Sequence, residues 1–352
     1  MIRSAWVLGG TGRTGRAIAA RLTSAGVPVV LVGRDATRLR QAAATVGGDP
    51  GIVVAADVGA AGAALAAAAP GVVVNTIGPF TETGPVVAGA CPPGTHYLDL
   101  SNELPSIAGL LDLHPEGRTV VPGAGFGVLA TESVVLRLCA GEPAPLRVRV
   151  DALASVRNEP GVLGEALAAS LVGALAGGGR RYEHGRLVRV RLAGDVERFT
   201  LPEGTTAATA GGPSGELEAA RRVSGAPFVV AANVHVPTGR AIRAVLPAAA
   251  ALLSVPALRR FAVRRLAAVE VKANEPARPH SWARARVEWA GGRVRTGWLR
   301  AGDGMDFTVA AAAEVAARLA RGEGRPGAYT PGALFGPSLA EAAGAEFVAV
   351  DA

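Results

Sequence analysis

The sequence predicts an α/β protein: an N-terminal doubly wound parallel sheet followed by a second, α+β domain. Three observations carry this. Over the first 125 residues, Val/Leu/Ile-rich runs alternate with Ala/Leu-rich ones. Such runs suit parallel strands covered on both faces, and the alternation suits right-handed crossovers. A glycine-rich turn joins the first strand to the first helix. Beyond about residue 130 the strands begin to alternate apolar and charged residues, as in Arg147-Val148-Arg149-Val150-Asp151 and Val188-Arg189-Val190-Arg191, which predicts a sheet with one wet face. At roughly 100–200 residues per domain, 352 residues make two domains. We place them at 1–130 and 131–352, with the helices from about 306 expected to pack back on the first domain.

In order, the expected strands of the first domain are 5–9, 28–33, 52–57, 72–77, 95–100 and 118–122. The helices between them are 12–25, 36–46, 60–69, 84–90 and 105–113. In the second domain, strands are expected at 146–154, 187–192, 229–236, 283–290 and 294–301, with a long helical part at 240–270. Gly/Pro-rich patches at 177–179, 211–215 and 322–327 read as surface turns.

The strongest motif is Gly9-Gly10-Thr11-Gly12-Arg13-Thr14-Gly15. Glycine is plentiful here, at 47 residues, so the motif gains its weight from context: it follows a strand and opens a helix. There, glycines permit a tight turn, let backbone approach a pyrophosphate, and aim helix N–H groups at it. This is the phosphate turn of a Rossmann-type dinucleotide fold. Nineteen residues beyond Gly15 stands Arg34, where an NAD site would place a carboxylate on the ribose 2′-hydroxyl. Arg34, with Arg13 in the turn, suits a 2′-phosphate and predicts NADP(H). Asp35 reads as the N-cap of the next helix, and Asp57 either as another cap or as an acceptor for the adenine amino group.

The ends of the later strands supply the substrate edge. Asn75 and Thr76 could bond the carboxamide or ribose of the nicotinamide half, and Gly78-Pro79 gives a rigid turn. The fifth strand runs His96-Tyr97-Leu98-Asp99 toward Glu103. Alternation puts Tyr97 and Asp99 on one face and His96 on the other, where it packs beneath a helix. Tyr97, Asp99 and Glu103 are the catalytic candidates for proton transfer; capping serves Asp99 and Glu103 equally well. Lys272 is the only lysine, so a Tyr-Lys acid couple after the fourth strand is excluded. Arg157, Asn158 and Glu159 follow the strand that opens the second domain; a polar loop explains them as well as a reach toward substrate.

Composition excludes several classes. There are 36 Lys plus Arg against 29 Asp plus Glu, a net charge of +7, but the arginines are scattered and aromatics make up 4%. Nucleic-acid binding wants clustered cations interleaved with stacking rings, so it is set aside. Cys91 and Cys139 form no CxxC pair, which argues against a disulfide framework or a metal site and for a reducing, cytoplasmic location. No signal peptide is expected, since Met1-Ile2-Arg3-Ser4 runs straight into the first strand. The apolar stretches 166–179 and 244–258 fall short of the about 20 residues of a transmembrane segment, which leaves at most a peripheral membrane contact. A homodimer stays open.

Four segments together resemble the saccharopine dehydrogenase-like NADP-binding oxidoreductases, whose members include trans-acting enoyl reductases. They are the turn 9–15, Val74-Asn75-Thr76-Ile77-Gly78-Pro79-Phe80, the run 91–103, and Pro122-Gly123-Ala124-Gly125-Phe126-Gly127. The specific likeness covers about the first 135 residues; near the C-terminus only Thr330-Pro331 is similar. Asn102 stands where the family pattern has glycine, and Gly127 where it has aspartate. The resemblance implies an NADPH-dependent reductase acting on a carbon–nitrogen or carbon–carbon double bond of a small or acyl-type substrate, with the second domain closing over the nicotinamide. The imine reading suits Arg and carboxylate groups gripping an amino-acid-like substrate; the enoyl reading suits the apolar stretches 166–179 and 244–258. The rebuilt edge also admits a non-catalytic NADP-binding partner or scaffold protein.

Overall fold

The computed structural model describes residues 2–157, 160–273, 276 and 278–348. Its first part alternates β1 (Ala5–Leu8), α1 (Arg13–Ser24), β2 (Val29–Gly33), α2 (Ala36–Val46), β3 (Gly51–Val54), α3 (Val58–Ala68), β4 (Val72–Asn75), α4 (Phe80–Ala90), β5 (His96–Asp99), α5 (Leu104–Leu111) and β6 (Thr119–Val121). β2 ends where its apolar run does, at Gly33, and the other five strands end one to three residues earlier than theirs, because the last residues of those runs turn toward the next helix. Helix α4 starts at Phe80, four residues before its expected start, with Pro79 at the N-cap.

The second part comprises α6 (Phe126–Cys139), β7 (Arg147–Leu153), β8 (Gly161–Val162), α7 (Glu165–Gly177), β9 (Gly179–Glu183), β10 (Arg186–Val190), β11 (Glu197–Thr200), β12 (Thr206–Gly211), α8 (Glu216–Ser224), β13 (Phe228–Asn233), α9 (Arg240–Leu253), α10 (Pro256–Ala267), β14 (Glu270–Val271), β15 (Ser281–Glu288) and β16 (Val294–Ala301). The chain closes with α11 (Gly304–Ala320), β17 (Gly327–Ala328), α12 (Pro331–Phe335), α13 (Ser338–Ala342) and β18 (Glu346–Val348). Two compact units result: Met1–Leu129 with Met305–Ala343, and Ala130–Gly304 with Gly344–Ala352.

In the first unit the strands are parallel in the order β17-β6-β5-β4-β1-β2-β3. Strand order reverses between β1 and β4, the switch point at which such sheets bind ligands beyond their carboxyl ends. β1 and β4 are wholly buried and β3, at the edge, is largely exposed. Helix α11 adds a buried face of Phe307, Ala311, Val315 and Leu319, and Phe307 meets Phe126 edge to face at 5.6 Å.

The second unit holds a nine-stranded mixed sheet along β10-β9-β13-β7-β15-β16-β18, with β12 pairing β13 and β11 pairing β12. Among the described residues only β13 and β7 pair in parallel there. Its polar face is wet at Arg147, Arg189 and Arg191, which are exposed, but dry at Asp151, which is fully buried and accepts from Arg149, Thr209 (2.7 Å) and Arg284 (3.3 Å). Pairing absorbs the buried charge that the alternating pattern had suggested would face water. The long helix expected at 240–270 is two helices bent by 114°. Pro256 opens the second of them, and a proline disfavours helical backbone at the residue before it.

Candidate functional site

The β1–α1 turn lies at the switch point. Gly9 and Gly10 donate their N–H groups to Val32 O at 3.0 and 3.1 Å, and Gly12 N donates to Gly9 O at 2.9 Å. Gly9 has φ +80°, and a Cβ there would sit 2.5 Å from Thr76 Oγ1. A Cβ on Gly15 would come within 2.5 Å of Gly9 O, and one on Gly10 within 3.0 Å of Leu31 Cβ. These three glycines are required by the protein's contact with itself. Gly12 differs: its Cβ would meet only Gly9 O, at 3.2 Å, and its backbone (φ −75°, ψ 159°) suits any residue. Gly12 is also the N-cap of α1 and brings no capping side chain, and the first turn of α1 carries no acid. The side of Gly12 that has this one neighbour, beside the N-terminal N–H groups of α1, fits a phosphate. Thr11 and Thr14 are half-buried in this turn, and Arg13 is exposed.

Arg34 is exposed at the end of β2, which pairs with β1. Asp35 caps α2, accepting from Thr37 N (2.8 Å) and Arg38 N (3.0 Å). Asp57 accepts from Ala60 N at 2.8 Å, so of its two readings the structure shows the helix cap.

The substrate edge differs from expectation. Asn75 is fully buried, and its amide is used inside the protein: Nδ2 donates to Thr83 Oγ1 (3.1 Å) and Tyr97 Oη (3.3 Å), while Oδ1 accepts from Ile77 N (3.0 Å). Thr76 Oγ1 donates to Leu8 O at 2.7 Å. These two side chains therefore shape the turn from beneath, and the Gly78-Pro79 peptide, which is cis, continues it.

Tyr97 and Asp99 are also fully buried. Tyr97 donates to Asp99 Oδ2 at 2.8 Å; Asp99 Oδ1 accepts from Ser101 N (3.0 Å), Ser101 Oγ (2.6 Å) and Gly123 N (3.0 Å). Burial, and then the neighbouring carboxylate, pushes the Tyr97 phenol well above its ordinary range. Burial likewise raises Asp99, against the pull of its hydrogen bonds, that from Ser101 first. As proton donors facing substrate they are misplaced: no atom of either reaches solvent. What they do is tie strand ends together, since the bonds from Asn75 through Tyr97 and Asp99 to Gly123 join β4, β5 and the loop before α6. Of the three catalytic candidates, Glu103 alone is partly exposed; it stands at the N-cap of α5 and accepts from Asn102 N at 3.1 Å.

His96 is packed as expected, with Nδ1 accepting from Thr119 N at 3.0 Å. Arg157 N donates to Asp303 Oδ2 at 2.7 Å, while Asn158 and Glu159 lie outside the described residues. Sequence reading missed Ser101, Thr83 and Gly123 as members of the buried network. The signal for Ser101 was its place two residues after Asp99, where a short side chain readily bonds the carboxylate in a turn. Among the described residues no cluster of His, Cys, Asp or Glu could hold a metal ion.

Residues 5–121 match the saccharopine dehydrogenase NADP binding domain. That match covers about a third of the chain. NADP(H), the cofactor expected from Arg34, is the one for which this domain family is described. A trans-acting enoyl reductase of Mycobacterium leprae (strain TN) is 32% identical over an alignment of 142 positions that covers 37% of this chain and 34% of that protein. The match thus spans about a third of the relative's length. The apo saccharopine dehydrogenase (L-Glu forming) of Saccharomyces cerevisiae superposes over 99% of this chain and 100% of its own with a TM-score of 0.60 at 13% identity, a likeness of fold alone.

Proposed function

We propose that the chain is an NADPH-dependent oxidoreductase that reduces the carbon–carbon double bond of an enoyl, acyl-type substrate. The observation that carries the cofactor half is the open side of Gly12 within a turn whose other glycines are closed in by protein. In this reading the N-terminal N–H groups of α1 hold the pyrophosphate, Arg34 and Arg13 hold the 2′-phosphate, and the 78–79 turn borders the nicotinamide. When bound, NADPH supplies the hydride. The protein's own part is to fix that edge: the Asn75–Tyr97–Asp99–Gly123 network holds three strand ends in one arrangement, as orientation of reactants requires. With Tyr97 and Asp99 enclosed, the proton falls to Glu103 or to water.

The enoyl reading is supported by the activity named for the mycobacterial relative, at 32% identity, whereas the likeness to saccharopine dehydrogenase is one of fold. The test is NADPH consumption by the purified chain with acyl enoyl thioesters, beside cyclic and amino-acid imines. Oxidation with the thioesters alone is the expected result. Oxidation only with imines would transfer the reading to carbon–nitrogen reduction, and tight NADPH binding with no consumption would mark a non-catalytic NADP-binding partner.

A further inference from the structure

Among the described residues, ten of the eighteen large hydrophobic side chains that stand exposed fall within 162–171 and 242–269, on and between β8, α7, α9, α10 and β14. A cluster of that kind marks an interaction surface rather than ordinary surface scatter. In α9, Ile242, Val245 and Leu252 recur at helical spacing and are 53%, 62% and 60% exposed. Past the bend, Val255, Leu258 and Phe261 continue the apolar surface, with Phe261 53% exposed. α10 buries none of its residues and meets α7 where Arg259 reaches Gly173.

Charge says what covers this surface. Residues 240–267 carry six arginines and no acidic residue. Arg240, Arg260, Arg264 and Arg265 are exposed, and Arg265 lies over the Phe261 ring at 5.5 Å. Long cationic side chains beside exposed apolar ones match an interface that is oily below and anionic above, where arginine stems snorkel. A second copy is a poor fit, since it would bring the same arginines against each other. No single described helix is long and apolar enough to cross a membrane, and α9 and α10 are bent by 114°. We propose that α9 and α10 lie in the surface of an anionic phospholipid bilayer as a peripheral anchor.

The experiment is co-sedimentation of the full chain with vesicles of phosphatidylcholine alone and of equal parts phosphatidylcholine and phosphatidylglycerol. The chain is expected to pellet with the anionic vesicles, about tenfold or more weakly with the neutral ones, and to be released as salt is raised. The double variant Val245→Glu/Phe261→Glu and the double variant Arg260→Glu/Arg264→Glu should each lose most of this binding. Leu187→Glu, at an exposed apolar site in β10, should not. NADPH titration of every variant, expected to be unchanged, keeps folding and the cofactor site apart from the anchor. Absence of vesicle binding, equal binding by all variants, or a concentration-dependent dimer that Val245→Glu dissolves would overturn the proposal.

Discussion

Gly12 and Gly15 occupy one motif for different physical reasons, and substitutions separate them. A Cβ on Gly15 strikes Gly9 O at 2.5 Å, so Gly15→Ala should destabilise the first unit by about 1–3 kcal/mol and weaken NADPH only as a consequence. A Cβ on Gly12 has only one neighbour, Gly9 O at 3.2 Å, so Gly12→Val should still fold, at a cost of about 1 kcal/mol in urea stability, and yet lose NADPH in a calorimetric titration. A Gly12→Val protein that still binds would place the nucleotide elsewhere. Arg34→Ala, at an exposed position, should weaken NADPH by about ten- to a hundredfold and leave NADH nearly unchanged, since only the former carries a 2′-phosphate for a charge-assisted pair. Equal losses for both cofactors would remove that assignment. The motif was legible as glycines in sequence; which glycine faces a ligand was not, because that depends on Thr76 and Leu31, brought near from β4 and β2 only by folding.

The strands β1 to β6 were legible because each is a short apolar run between turn residues, and the central β1 and β4 are buried on both faces. What the pattern could not tell was the direction of the polar side chains at the strand ends. Alternation did put Tyr97 and Asp99 on one face, but a polar face of a strand reads alike whether it meets a substrate or a buried partner, and here the partners are Asn75, Ser101 and Gly123. Asp99→Ala leaves the donors of Tyr97, Ser101 and Gly123 without an acceptor in a dry site and should cost about 3–5 kcal/mol in urea unfolding. Asp99→Asn keeps one oxygen in place and should cost about 1–2 kcal/mol, with turnover reduced no more than folding is. A stable Asp99→Asn with turnover down by about a hundredfold or more would restore it as a proton carrier. On the other face of β5, burial and then the charge of Arg3 hold the His96 imidazole below its usual 6.5. The folded state therefore binds this proton less readily than the unfolded chain, so the stability tied to His96 is complete above pH 6.5 and is lost as pH falls through the lowered value. Protonation would also remove the acceptor of Thr119 N. Urea midpoints measured between pH 7.5 and 5 should fall toward acid in the wild type and fall less in His96→Gln; parallel profiles would count against His96 as their source.

At the scale of the whole molecule, the first unit is built from two distant stretches of chain, Met1–Leu129 and Met305–Ala343. The second stretch is integral to it. Helix α11 buries Phe307, Ala311, Val315 and Leu319, its Thr308 Oγ1 accepts from Phe126 N at 3.1 Å, and Ala320 O accepts from Arg3 N at 3.0 Å. Beyond it β17 extends the sheet beside β6, where Thr119 Oγ1 donates to Arg325 O at 2.7 Å. A fragment ending at residue 130 would leave the apolar bed of α11 open to water and β6 as an unpaired edge, so it should be aggregated or unfolded. Joining residues 1–129 to 305–343 through a short Gly/Ser linker should restore a folded protein, because Phe126 and Thr308 are already hydrogen-bonded neighbours and little chain is needed to close the gap. If the dinucleotide site belongs to this unit alone, the joined protein binds NADPH with an affinity near that of the full chain and discriminates against NADH in the same way, while it consumes none. Circular dichroism with NADPH titration decides it: a folded joined protein without NADPH affinity would mean that the second unit contributes to the cofactor site, and a folded, NADPH-binding fragment ending at 130 would mean that α11 is dispensable to the fold.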